Sequence, residues 1–154
     1  MQINLSHIQE GGRAYEGEEP AGILDVENDP FVRAPAPVRY DLLAEVVSQE
    51  LLVQGRVETE LQMACSRCGE FFSTRVCDSS FLRAYELTGE VSLVDLDGDL
   101  REAILLKMPL FALCSPDCRG LCSQCGSNLN RGSCGCAPSA TDGGAWSALD
   151  ELKW

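Results

Sequence analysis

Eight of the nine cysteines in this 154-residue chain fall into four close pairs: Cys65 with Cys68, Cys114 with Cys118, Cys122 with Cys125, and Cys134 with Cys136. A CxxC pair can bring two sulfurs to one ion because the intervening chain turns tightly. A glycine just after the second cysteine helps, since it tolerates the positive φ that such turns often need. Both CxxC pairs carry one, Gly69 and Gly126. Tetrahedral zinc takes four ligands with sulfur at about 2.3 Å, so the four pairs supply two complete sets. Cys122, Cys125, Cys134 and Cys136 lie in one short loop and can close a set at little entropic cost. Cys65, Cys68, Cys114 and Cys118 then form a second set, which pins the far side of a helix back onto a turn between strands. Two zinc ions per chain are expected. Cys77 is left over, and its place in a strand pattern reads as a small buried hydrophobe rather than a ligand.

Other uses of cysteine fit less well. No basic flank followed by an apolar run opens the sequence. The most apolar stretch, 103–114, is broken by Lys107 and Pro109 and falls short of the ~20 residues that cross a bilayer. The expectation is a cytoplasmic protein with no membrane contact, where thiols stay reduced and a disulfide framework does not form. A thioredoxin-like redox pair would sit at a helix start, whereas Cys65 and Cys68 follow one strand pattern and precede another. An iron-sulfur cluster uses the same donors, and spacing alone does not separate it from zinc. Catalytic zinc keeps an open coordination position, but here both sets are complete. The single histidine, His7, is far from every cysteine motif, and no hydrolase, protease, phosphate-loop or dinucleotide signature is present. The chain is therefore expected not to be an enzyme. A redox sensor that releases zinc on oxidation rests on the cysteine count alone.

The rest of the pattern is α+β. Val38, Tyr40 and Leu42 alternate with polar residues, as do Val57, Thr59, Leu61 and Met63, and a third alternating run goes from Phe71 to Tyr85. Period-two alternation with short connections predicts an antiparallel meander, with Cys65 and Cys68 at its second turn. Short strands are expected at Met1–Leu5 and Val91–Leu96, and one more at Gly22–Val26 within an otherwise loop-like stretch to Pro37. A helix follows, with Asp99 as its cap, Glu102 as the reciprocal partner three residues on, and Pro109 as its end. Residues 1–110 thus read as a strand-rich body with one capped helix. Residues 111–136 hold too few apolar side chains for a core and read as a zinc-ribbon-like segment packed on that body. Residues 137–154 read as a linker and a short helix, with Trp146, Leu149 and Leu152 on one side.

These motifs resemble a known family. The run LCSPDCRGLCSQCGSNLN at 113–130, followed by CGC at 134–136, closely resembles the YceD family, also called large ribosomal RNA subunit accumulation proteins. CSRC at 65–68 looks like the family's CxRC motif, and EAILLKMP at 102–109 is similar to its helix and proline. The resemblance covers roughly 38–136 and leaves Cys77 outside the motif. It implies a role without catalysis in accumulation of large-subunit ribosomal RNA, hence in ribosome assembly. It also implies partners in the large ribosomal subunit; whether these are ribosomal RNA or a basic ribosomal protein is a question of charge.

Charge bears on that choice. The formal net charge is -12, from 24 acidic against 12 basic side chains. Such a chain is repelled by phosphate and attracted to basic partners. Residues 111–136 depart from the acidic trend, with Arg119 and Arg131 against Asp117. Arg67, Arg119, Arg131, Asn128 and Asn130 are the candidate RNA contacts. Their competing role is to hydrogen-bond thiolates and loop carbonyls, a routine need of metal sites.

Overall fold

The structure is a computed structural model of the chain and describes residues 1–8, 11–87 and 92–136. Its centre is the expected meander. Strands β4 (Val38–Val47), β5 (Glu50–Ala64) and β6 (Phe71–Glu86) pair antiparallel in sequence order. The first hairpin turns through Ser48 and Gln49, with Ser48 at φ 59, the left-handed geometry that matches strand twist in a two-residue turn. The second turn is Cys65 to Glu70. Two shorter strands extend the sheet. β2 (Arg13–Glu19) pairs with the outer edge of β4, and β3 (Val32–Arg33) pairs with β5 at Met63 and Gln62. A separate two-stranded ladder joins β1 (Gln2–Asn4) to β7 (Leu93–Asp95).

One face of the large sheet is the core. Val38, Leu42, Leu51, Val53, Val57, Leu61, Val76 and Phe81 point inward, as period-two alternation requires. Helix α1 (Asp97–Lys107) covers this face with Leu100, Ala103 and Ile104, and Ile3, Leu24 and Leu96 complete the layer. The opposite face is turned to solvent.

Several local expectations are corrected. Gly22–Val26 is not a strand: Ala21–Leu24 makes a 3₁₀ turn closed by Asp25 in the left-handed region, φ 52. β2 lies in a stretch read as loop, because an edge strand with one solvated face needs few apolar residues. Asp99 does not cap α1. The helix begins two residues earlier, with Leu96 at the cap position, and the Asp95 carboxylate accepts from the Asp97 amide at 3.0 Å. Asp99 instead accepts from Arg83 Nε at 2.8 Å and from the Tyr85 hydroxyl, while Glu102 pairs with Arg83 at 3.3 Å. The two acids therefore fasten the helix to β6. Cys77 is half-buried, not core, and sits opposite Glu58 on the solvated face. Val91, the linker 137–144 and the helix expected around Trp146 lie outside the described residues.

Candidate metal centres

The chain assembles the eight paired cysteines into two tetrads. Cys65, Cys68, Cys114 and Cys118 form one, and Cys122, Cys125, Cys134 and Cys136 the other, with all ligand atoms in each set within 4.8 Å of one another. In the first set Cys65 Sγ lies 3.7 Å from Cys118 Sγ, and Cys68 Sγ lies 3.8 Å from Cys114 Sγ. Four sulfurs at about 2.3 Å from one tetrahedral ion would stand ~3.8 Å apart, so the donor set fits a single ion. A polynuclear iron-sulfur cluster places sulfide and several irons between its thiolates and would hold them further apart.

The two CxxC turns are built alike. Cys65 N–H donates to Glu70 O and Gly69 N–H to Cys65 O, both at 2.9 Å. Cys122 N–H donates to Ser127 O and Gly126 N–H to Cys122 O, again both at 2.9 Å. Gly69 and Gly126 have φ of 72 and 71, the left-handed conformation that a side chain would strain. The first turn is carried by the β5–β6 hairpin, so its position is fixed by the sheet. Cys114 and Cys118 arrive after α1, and Ser66 N–H donates to Ala112 O at 2.8 Å to hold that strand of chain beside the turn.

Burial differs between the sets. Cys65, Cys68 and Cys118 are buried in a small cluster with Phe72 and Leu113 packed on it, whereas all four distal cysteines are half-buried or exposed. Electrostatics sets Cys65 apart from Cys114 in the first set, and Cys125 apart from Cys136 in the second. Burial pushes Cys65 up, but backbone N–H groups at Cys114, Cys68 and Arg67 outweigh it and bring its pKa to about 6. Hydrogen bonds from the Ser127 hydroxyl and amide likewise bring Cys125 to about 6. The neighbouring Cys118 sulfur, with burial, pushes Cys114 up to about 12, and Cys125, with burial, does the same to Cys136. A metal ion takes all four as thiolates, so loading must expel protons, those of Cys114 and Cys136 first among them. Affinity therefore rises with pH through neutrality, and it falls steeply once Cys65 and Cys125 protonate below about 6. A metal titration in lightly buffered solution at neutral pH is expected to acidify the sample until both tetrads fill. Uptake without proton release would contradict these assignments.

Four of the five side chains named as candidate RNA contacts turn towards this scaffold. Arg67 Nη1 donates to Cys118 O at 3.0 Å and to Pro116 O at 3.3 Å. Asn130 Nδ2 donates to Cys118 Sγ at 3.3 Å, which lowers the Cys118 pKa, while its Oδ1 accepts from Arg119 N–H at 2.8 Å. Asn130 thus links the distal loop to the proximal tetrad. Asn128 Nδ2 donates to Glu70 at 3.4 Å, and Arg131 pairs with the same carboxylate at 2.7 Å. The Arg119 guanidinium is exposed and makes no hydrogen bond or ion pair among the described residues. Sequence reading overlooked Glu70 and Ser127. Both directly follow the glycine of a CxxCG turn, so the repeated motif held the signal.

The fold and the site together define an α+β chain with two cysteine tetrads, each able to hold a metal ion. Comparison with known proteins gives its family. The chain belongs to the YceD family, described as large ribosomal RNA subunit accumulation protein YceD, whose family model matches residues 53–153. That match runs beyond the motif region into the C-terminal segment. An uncharacterized protein of Mycobacterium leprae is 28% identical over 108 residues, covering 61% of this chain and 50% of the relative. A Mycobacterium tuberculosis protein is 35% identical over 140 residues, 73% of this chain and 67% of the relative. The chloroplastic large ribosomal RNA subunit accumulation protein YCED homolog 1 of Zea mays is 43% identical over 51 residues, 32% of this chain and 17% of the relative. The chain thus spans half the length of the Mycobacterium leprae protein and less of the chloroplastic one. No solved structure matches. Among the described residues, no helix is long and apolar enough to cross a membrane.

Proposed function

We propose that this chain is a non-enzymatic, two-zinc factor that promotes accumulation of large-subunit ribosomal RNA by binding a basic ribosomal protein in the cytoplasm. Its strand-rich body, residues 1–110, is the docking unit, and residues 111–136 are the zinc-organised segment packed on it. Family membership supports the assembly role. The choice of a protein partner rests on one observation, the charge of the solvated sheet face. That face presents Glu16, Glu18, Asp41, Glu45, Glu50, Glu58, Glu60 and Glu86 against Arg39, Arg56 and Arg75. The three arginines are already engaged: Arg56 and Arg75 on Glu58, and Arg39 with Glu18 at 3.8 Å. Among the described residues, Glu16, Asp41, Glu45, Glu50, Glu60 and Glu86 pair with no cation. A flat field of uncompensated carboxylates steers cationic partners and repels phosphate.

Zinc is the metal because four thiolates fill its tetrahedral shell and leave no open position for catalysis. Two such sites give structure to a segment that lacks a core of its own. Direct RNA contact is the competing reading, and Arg119 is the one of its five candidate side chains that makes no hydrogen bond or ion pair among the described residues.

The deciding experiment is capture of partners from growing cells across a salt series, with and without nuclease. A basic ribosomal protein is expected to remain after nuclease treatment. Replacing Asp41, Glu50, Glu60 and Glu86 by their amides should slow its association about ten- to a thousandfold at low salt. Arg119→Ala with Arg131→Ala should leave it bound. If the arginine pair abolishes all binding and the carboxylates prove irrelevant, the chain is an RNA-binding protein instead.

A further inference from the structure

An apolar groove of about 620 Å³ lies beside the proximal tetrad, within the size range of pockets that seat a compact ligand or a few side chains. Pro30, Phe31, Met63, Phe71, Leu110 and Leu121 are among its walls. Phe31 is 66% exposed, Leu110 94% and Leu121 47%, and contiguous apolar surface with a polar rim marks interaction sites. The groove is built before anything binds. Ala64 N–H donates to Phe31 O at 2.8 Å on one wall, and Ser66 N–H donates to Ala112 O at 2.8 Å on the other, so little order has to be gained on docking.

The charge around the groove selects its occupant. Acidic side chains outnumber basic ones two to one in this chain, and Arg39, Arg56, Arg75, Arg83, Arg101, Lys107 and Arg131 all pair with carboxylates. Among the described residues, the cations that pair with none are Arg13, Arg33, Arg67 and Arg119. Only Arg13 is remote from the groove. Arg67 lines it, Arg33 adjoins Val32 in its wall and stacks over the Phe71 ring at 4.0 Å, and Arg119 lies two residues before Leu121. The carboxylates next to the groove in sequence are already engaged. Glu70 holds Arg131 at 2.7 Å and Asn128 at 3.4 Å, and Asp29 accepts from Phe31 N–H at 2.7 Å.

We infer that this groove docks a segment of an acidic protein partner, one whose apolar side chains are flanked by Asp or Glu. The apolar walls supply affinity, and the arginines select the sign of the partner. A basic protein suits the acidic sheet face and is repelled here. An RNA strand shares the required charge, but a base needs an open aromatic face to stack on. Arg33 already covers the Phe71 ring, and the other walls apart from Phe31 are aliphatic. The chain thus carries two docking surfaces of opposite sign, and the groove's partner is a different molecule from the basic protein proposed above.

Selection from a random-peptide display library against the metal-loaded full chain tests the assignment. Enriched peptides are expected to combine apolar residues with a net negative charge. The leading one, synthesised with a fluorophore, is expected to bind one-to-one and more weakly as salt rises. Phe31→Ser with Leu110→Ser should weaken it at least about tenfold, and so should Arg33→Glu with Arg119→Glu. Far-ultraviolet circular dichroism and metal content should stay unchanged, since all four side chains are exposed. Leu106→Ser, also exposed but outside the groove, should leave the affinity as it was. Failure to enrich any sequence, or enrichment of basic ones, would overturn the inference. So would a leading peptide that binds the groove variants as tightly as the parent. Displacement of the peptide by single-stranded RNA would assign the groove to nucleic acid, and its displacement by self-association at high protein concentration would assign the groove to a second copy. Either result contradicts the inference, and none of these readouts depends on the basic partner.

Discussion

Cys65→Ser is expected to abolish the cooperative unfolding transition of the whole domain, while Cys122→Ser leaves the sheet folded and loosens only residues 120–136. The asymmetry follows from what each tetrad joins. Cys65 and Cys118 are 53 residues apart, and Cys68 and Cys114 are 46 apart. The proximal set thus ties the β5–β6 turn to the chain that leaves α1, and it does so with three buried sulfurs. Structural zinc contributes ~10–16 kcal/mol in small sites, against a whole-domain stability of ~5–15 kcal/mol. Losing it also leaves buried thiols with no ion to order them. The distal set closes within fifteen residues, so its loss costs mainly local order, along with the bonds from Asn128, Asn130 and Arg131 to Glu70 and Cys118. Thermal unfolding with residue-resolved hydrogen exchange distinguishes the outcomes. Equal loss of stability in both variants would count against this partition.

The second large effect concerns the core. Phe81 is 2% exposed and follows an irregularity in β6, where Ser79 and Ser80 interrupt the register with β5. Its cross-strand partner is Gly55, which cannot be larger because a Cβ there would lie 2.1 Å from Asp41 O. The phenyl ring therefore fills space that no neighbour can occupy. Phe81→Ala is expected to cost about 3–5 kcal/mol, a large share of the total. Leu106→Ala, at a position 72% exposed, should stay within about 0.5 kcal/mol. Urea unfolding of both variants measures the difference, and comparable costs would mean that the sheet's inner face is not the main core.

These particulars mark where sequence was informative. β4, β5 and β6 were legible because each buries one face and alternates over most of its length, β6 breaking step only at Ser79 and Ser80. α1 was legible from Leu100, Ala103 and Ile104. The tetrads were legible because ligand chemistry demands fours and because one set is local. β2 was not, since its partner β4 supplies the apolar face and its own residues, such as Glu16 and Glu18, look like loop. The cap of α1 was misread because Asp99 and Glu102 fit a local motif, whereas tertiary partners on β6 claim both side chains. Arg67 and Arg131 were legible as candidates for RNA contact or for hydrogen bonds to thiolates and loop carbonyls, but the particular groups they reach were not. Their partners, Cys118 O and Glu70, come together only when segments about fifty to sixty residues apart meet.

The central claim is that this chain holds two mononuclear tetrathiolate ions. Elemental analysis of the purified full chain, combined with thiol counting before and after denaturation in chelator, tests it most directly. Two zinc ions per chain are expected, with nine titratable thiols once the metal is removed. One ion or none in a folded protein, iron with sulfide, or cysteines paired as disulfides would contradict it.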